Sequence, residues 1–320
     1  MQIAIICLLS LAVYGRTVMY GLVSDDSNAY ARGQQMIKDK VPLWKQLCSE
    51  AMCHNICNKK RCHVYNILVH TANCVLIYIV FGSSTTSFIA SLLFLVNPSN
   101  NQGSTWLSGR GYAIVTFFAL LIWLWKDILW LTPILYYAGL AWGFSIAFVP
   151  MIFVTTPQWY MVLMIPILVL IGYKSERGVK QRIIDKTKTS TPMMKSWNYK
   201  KIPLFFKTFW YYLFFCLVPI RCGMYHSYMY TWGISEEDNK FWLKIDWRFW
   251  LGILTFFLYM IILVYNWGNL IGFGMSWWLI NMAMWCHYPY TIQQAFSSRY
   301  AYLPNVGLSI ALAEGIRVLF

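Results

Sequence analysis

Along the chain, long apolar runs alternate with short polar intervals, and the runs are apolar around most of the helical circumference rather than along one stripe. They occupy residues 1–23, 64–81, 86–96, 111–125, 128–148, 150–172, 203–219, 249–267, 269–286 and 300–320. A helix rises about 1.5 Å per residue, so a run near 20 residues reaches across a hydrocarbon layer about 30 Å thick. The pattern predicts an all-α, polytopic membrane protein of about nine to eleven transmembrane helices. It forms a single domain over residues 1–320. Pro98, Pro133, Pro150, Pro157, Pro166 and Gly268 bound or interrupt several runs. The first run lacks a basic flank and a small-residue cleavage site, so it reads as an uncleaved signal anchor.

Composition agrees with this pattern. The chain is 58% hydrophobic and 12% charged, about half the charge of a soluble domain. A soluble enzyme, a disordered tail and a coiled coil are excluded. The net charge of +14 (26 − 12) resembles that of a nucleic-acid binder, but its distribution argues otherwise. Ten of the basic residues lie between Lys174 and Lys207, against only Glu176 and Asp185. The positive-inside rule makes 174–203 a cytoplasmic loop. Counting runs from there places 24–63, 97–110, 220–247 and 287–299 on the extracytoplasmic face, and no nucleic acid is expected as a partner.

The first outside loop carries Cys48, Cys53, Cys57 and Cys62, with His54 and His63 among them. Paired C-x-x-C spacing is absent, which disfavours zinc. An extracytoplasmic address favours disulfides, in any of three pairings. Disulfide bracing, free thiols and zinc remain the three readings of this cluster.

With so few charges, those at the outer face stand out. Asp25 and Asp26 follow the first run directly. A carboxylate at a bilayer boundary is costly unless it is hydrated, paired or functional, and adjacent carboxylates raise one another's pKa. A solvated helix cap is the plain alternative. The loop from Asn97 to Gly111 is polar and uncharged except for Arg110. Such a run suits a hydroxyl-rich ligand beside an anion, because guanidinium binds phosphate in bidentate fashion. An arginine snorkelling to lipid headgroups is the alternative. Arg299 begins the last run at the same face. Asp25, Asp26, Arg110 and Arg299 are therefore expected to meet at one extracytoplasmic cavity that takes an anionic, lipid-linked substrate.

These same residues carry a family resemblance. His63-Val64-Tyr65-Asn66-Ile67-Leu68-Val69-His70 resembles the H-x-x-N-x-x-x-H segment of the transmembrane and tetratricopeptide-repeat protein O-mannosyltransferases. The run from Asn97 to Arg110 resembles that family's H-P-x-H-x-E-x-V-x-W-x-S-G-R signature at Pro98, Trp106, Ser108, Gly109 and Arg110. Arg299-Tyr300-Ala301-Tyr302-Leu303-Pro304 matches its R-Y-x-Y-L-P. The likeness covers 1–126 and 296–313, and the middle only by hydropathy.

The resemblance implies a GT-C glycosyltransferase moving a mannose-like sugar from a polyprenyl-phosphate (dolichyl-phosphate-like) carrier to a hydroxyl acceptor, a protein Ser or Thr above all. The site would be lumenal or extracytoplasmic, in the endoplasmic reticulum or a bacterial inner membrane. Asp25 or Asp26 would be the base toward the acceptor hydroxyl. Arg110 and Arg299 would hold the departing phosphate, with inversion at the anomeric carbon. His63, His70, Asn97, Asn100, Gln102, Trp106 and Tyr300 would line the substrate site. The lipid-linked donor is a substrate, so no cofactor is expected; partners would be that donor, membrane lipid and a protein or glycan acceptor.

The departures from the family pattern are specific. Asn97, Asn100 and Gln102 stand where the signature has His, His and Glu. The loop loses its imidazole and carboxylate ligands, so no metal is expected there. A period of about 34 residues is absent, so repeat-based acceptor recognition would fall to a partner chain. A catalytically degenerate relative, acting as a membrane scaffold or a subunit of a larger complex, is the alternative.

Overall fold

The computed structural model describes residues 1–21, 31, 34–35, 37–40, 59–107, 109–128, 130–142, 194–196, 199–218, 242–283, 285–288, 290–292 and 296–320. Asp25, Asp26, Ser108, Cys48, Cys53, Cys57, the side chain of Cys62 and the run 150–172 lie outside the described residues. The elements are α1 (Gln2–Tyr14), α2 (Lys59–Val80), α3 (Thr85–Val96), α4 (Asn101–Ser104), α5 (Arg110–Leu124), α6 (Leu131–Trp142), β1 (Met194–Ser196), α7 (Ile202–Leu217), α8 (Trp247–Tyr265), α9 (Leu270–Ala283), β2 (Tyr290–Ile292) and α10 (Pro304–Leu319). The described chain is mostly helical.

Among the described residues, three helices are long and apolar enough to cross a membrane: Gln2–Met19, His63–Val80 and Trp247–Tyr265. Thr85–Val96, Arg110–Leu124 and Leu270–Ala283 are apolar but shorter. Local chemistry shortens them. Ser84 and Ser87 form a reciprocal capping box that opens α3, and Asn97-Pro98 closes it. Pro203 and Pro304 sit in the first turns of α7 and α10, where a missing N–H costs nothing. Trp250, Leu254, Phe257, Leu258 and Ile261 are exposed along α8, and their spacing makes one outward apolar stripe suited to lipid.

Packing runs outward from α2. Tyr78 donates to Gln2 and Ser10 bonds Thr71, which lays α1 antiparallel along α2. Ser91 donates to the Cys74 carbonyl at 2.7 Å, which sets α3 on its other flank. Helices α9 and α10 approach so closely that a Cβ on Gly274 would stand 2.3 Å from the Gly307 oxygen. Small residues permit this backbone contact, as in membrane helix pairs. Gly274→Ala is expected to cost about 1–3 kcal/mol through overpacking, read as a lower thermal midpoint in detergent.

Two segments that the charge count places on opposite faces are paired in the structure. The charge count puts the basic segment 174–203 opposite 97–110, 220–247 and 287–299. Yet β1, within the basic segment, pairs antiparallel with β2, within 287–299, Met194 facing Ile292 and Ser196 facing Tyr290. Lys207 Nζ lies 3.1 Å from Asp246 Oδ1. Helix α7 rests along this same end of the bundle. Phe205 meets Tyr288 at 6.2 Å, Tyr212 stacks on Phe296 at 4.3 Å, and Asn97 donates to the Cys216 carbonyl at 3.1 Å. The C-terminal part of the basic segment and the loop around Asn97 therefore share one end.

Candidate functional site

His63, Asn66, His70 and Asn73 follow one another at spacings of three, four and three, which puts all four on one face of α2. All four are buried, and buried polar groups in an apolar setting require hydrogen-bond partners. Neighbouring loops and helices supply them for Asn66, His70 and Asn73. Asn66 Oδ1 accepts from Arg110 Nε, and Asn66 Nδ2 donates to the Trp106 carbonyl at 3.2 Å. Asn73 Nδ2 donates to the Ala113 carbonyl at 2.9 Å and to the Tyr302 hydroxyl at 3.2 Å. His70 Nδ1 lies 2.5 Å from that hydroxyl, and its Nε2 lies 3.4 Å from the Leu95 carbonyl. A carbonyl only accepts, so the proton sits on Nε2 and Nδ1 accepts from Tyr302.

Both candidate arginines border the turn that carries Trp106, Arg299 over its ring and Arg110 by way of Asn66. Arg110 opens α5, buried, with its guanidinium 5.0 Å from the Tyr65 ring centroid and its Nε on Asn66. Arg299 lies with its guanidinium 5.1 Å from the Trp106 ring and 5.3 Å from the Tyr300 ring. Tyr300 in turn stacks flat on Trp285, centroids 3.9 Å apart and planes 8° from parallel. Aromatic faces attract guanidinium and hold it in a defined plane. Gly109 fits the turn because a Cβ there would come within 2.2 Å of the Gln102 carbonyl oxygen. The glycine of the Ser108-Gly109-Arg110 triplet is thus required by backbone approach.

The three amides that replace titratable residues knit the loops together. Asn97 caps the turn Pro98–Asn100, accepting from Ser99 N at 2.9 Å and Ser99 Oγ at 2.7 Å. Asn100 donates to the Phe94 carbonyl at 2.8 Å and accepts from Asn305 Nδ2 at 2.7 Å. Gln102 Oε1 accepts from the Arg299 main-chain N–H at 3.0 Å and from Ser297 Oγ at 3.4 Å. Gln102 therefore fixes the backbone from which Arg299 projects.

The structure thus gathers Arg110, Arg299, Trp106, Tyr300, Asn97, Asn100 and Gln102 at one end of the bundle. His63 stands at the start of the α2 stripe, one turn before Asn66. His70 lies deeper and reaches the loops through Tyr302, with Tyr14 and Phe94 packed on its ring at 4.8 and 5.6 Å. Asp25 and Asp26 lie outside the described residues. Asn66, Asn73 and Asn305 belong to the same network and are not among the candidates. Their signal is present: helical spacing for the first two, and for Asn305 a polar residue in an apolar run. Among the described residues, no three His, Cys, Asp or Glu side chains gather to hold a metal.

Beside this cluster, Asp246 caps α8, its carboxylate accepting from Arg248 N at 3.0 Å and Phe249 N at 3.3 Å. Burial pushes its carboxyl upward, but the Lys207 ammonium and the two helix N–H groups outweigh that and hold it below the ordinary carboxylate range.

No protein-family model, curated protein or solved structure matches this chain.

Proposed function

We propose that this chain is a multi-pass membrane glycosyltransferase of the GT-C type. It transfers a mannose-like sugar from a polyprenyl-phosphate carrier to a hydroxyl acceptor, a protein Ser or Thr, at the lumenal or extracytoplasmic face. The observation that supports this reading is the placing of Arg110 and Arg299 at one turn, Arg299 over the Trp106 ring and Arg110 tied to that turn through Asn66, at the end of an apolar bundle. Departure of the prenyl phosphate develops negative charge, and two pre-positioned guanidinium groups stabilise it without reorganising. A carboxylate then suffices as base, because the phosphate leaves without an acid. Asp25 and Asp26, three and four residues beyond Leu22 in the sequence, take that role.

The β1–β2 pairing adds a second support, since it brings part of the basic segment to the same end. Positive charge there raises the local concentration of an anionic donor. A non-catalytic scaffold is the second reading, favoured by one observation: Asn97, Asn100 and Gln102 all bond within the protein. Membrane fractions supplied with polyprenyl-phosphate sugar separate the two. Transfer should fall at least about 100-fold in Asp25→Asn or in Asp26→Asn, with the protein still folded. Undiminished transfer by both single variants and the double variant removes the assigned base.

A further inference from the structure

The arginine pair shares a point of control. Asn66, buried in the α2 stripe, uses both ends of its amide on the five-residue turn from Trp106 to Arg110. Its oxygen takes the Arg110 Nε–H, which fixes the rotation of that guanidinium about its own axis. Its NH2 holds the Trp106 carbonyl, which fixes the backbone bearing the indole on which Arg299 lies at 5.1 Å. The turn is braced besides by Gly109 N–H to the Trp106 carbonyl at 3.2 Å and Arg110 N–H to the Leu107 carbonyl at 3.3 Å. None of those main-chain bonds reaches either guanidinium. Asn66 links the two, one directly and one through Trp106.

We infer that Asn66 is a positioning residue for both phosphate-binding arginines, acting on the Arg110 guanidinium directly and on Arg299 through the Trp106 ring. This rests on the reading of Arg110 and Arg299 as the donor-phosphate site. The amide is required as an amide: one acceptor for a cation and one donor for a carbonyl, from a group that carries no charge. Leucine keeps the volume and supplies neither. Aspartate keeps the acceptor for Arg110, in a charge-assisted bond, and sets a carboxylate against the Trp106 carbonyl. The two substitutions therefore act on different arms of the clamp.

Two measurements on the purified full-length protein in detergent test this. Binding to vesicles containing polyprenyl phosphate should weaken about 10- to 100-fold in Asn66→Leu, the loss of one hydrogen bond to a charged group. With a donor sugar attached, the loss should appear in KM more than in kcat. Phenylglyoxal labelling, followed by mass spectrometry, reads each arginine separately and needs no ligand. Asn66→Leu should label faster at both Arg110 and Arg299. Asn66→Asp should keep Arg110 slow and speed Arg299 alone, a split that general loosening of the fold does not give. Unchanged labelling at both arginines in Asn66→Leu overturns the inference, as does equal acceleration of both in Asn66→Asp. Should the wild type show no affinity for polyprenyl phosphate, the donor reading fails, and the labelling rates still decide the role of Asn66.

Discussion

Arg110→Gln is expected to lower sugar transfer about 100- to 1000-fold, the usual loss when a donor aimed at developing charge is removed. Glutamine retains length and a hydrogen-bonding head but brings neither charge nor a planar fork. Arg110→Lys should recover only part of the loss, because a point charge cannot reproduce bidentate contact or stacking on Tyr65. Arg110 is buried whereas Arg299 is partly open. The low-dielectric environment makes the Arg110 contribution the larger of the two. Steady-state transfer in membrane fractions, normalised to folded protein, reads the difference.

The second large effect concerns stability. Lys207 is wholly buried in an apolar helix, while Asp246 keeps 18% of its side chain exposed. Removing one member of a buried pair costs about 3–5 kcal/mol, because the other charge stays uncompensated. The cost must be asymmetric here. Asp246→Ala takes the carboxylate from a buried ammonium and removes the cap of α8, so it should show that full loss. Lys207→Met leaves a carboxylate that still accepts two main-chain N–H groups and meets Arg248 at 3.3 Å; its cost should be clearly smaller. The double variant Lys207→Met with Asp246→Asn should be more stable than Asp246→Ala. The pH dependence follows from the lowered carboxyl of Asp246. A carboxyl lowered on folding contributes stability that is present above the ordinary carboxylate range and lost as pH falls through its folded value. Acid should therefore destabilise the wild type more than Lys207→Met, measured as unfolding midpoints in mixed micelles.

Helix positions were largely legible in the sequence, since apolar runs and their punctuation are local. The run 86–96 became Thr85–Val96, 111–125 became Arg110–Leu124, and 249–267 became Trp247–Tyr265. Long-range pairing was not legible in the same way. Lys207 reads as one more basic residue of a loop, because its partner Asp246 is remote in sequence and no local pattern announces it. The pairing of β1 with β2 likewise joins short segments without a strand signature. The site was legible as residue types and not as roles. Arg110, Arg299, Trp106 and Gln102 are visible as candidates, while Asn66 is one polar residue of the segment His63 to His70. What distinguishes it is contact with Trp106 and Arg110, about forty residues away, and that follows only once α2 and α5 are packed. The amides Asn97, Asn100 and Gln102 read as ligand groups in the sequence because uncharged polar loops suit sugars. Folded, each meets a neighbouring loop or helix.

The claim that this chain is a glycosyltransferase is tested most directly by purified wild-type protein given labelled polyprenyl-phosphate sugars and a hydroxyl acceptor. The account predicts consumption of at least one donor, with the sugar on the acceptor in the anomeric configuration opposite to that of the donor. No consumption across several donor sugars, by protein that is folded and that binds the prenyl phosphate, would contradict it and leave the scaffold.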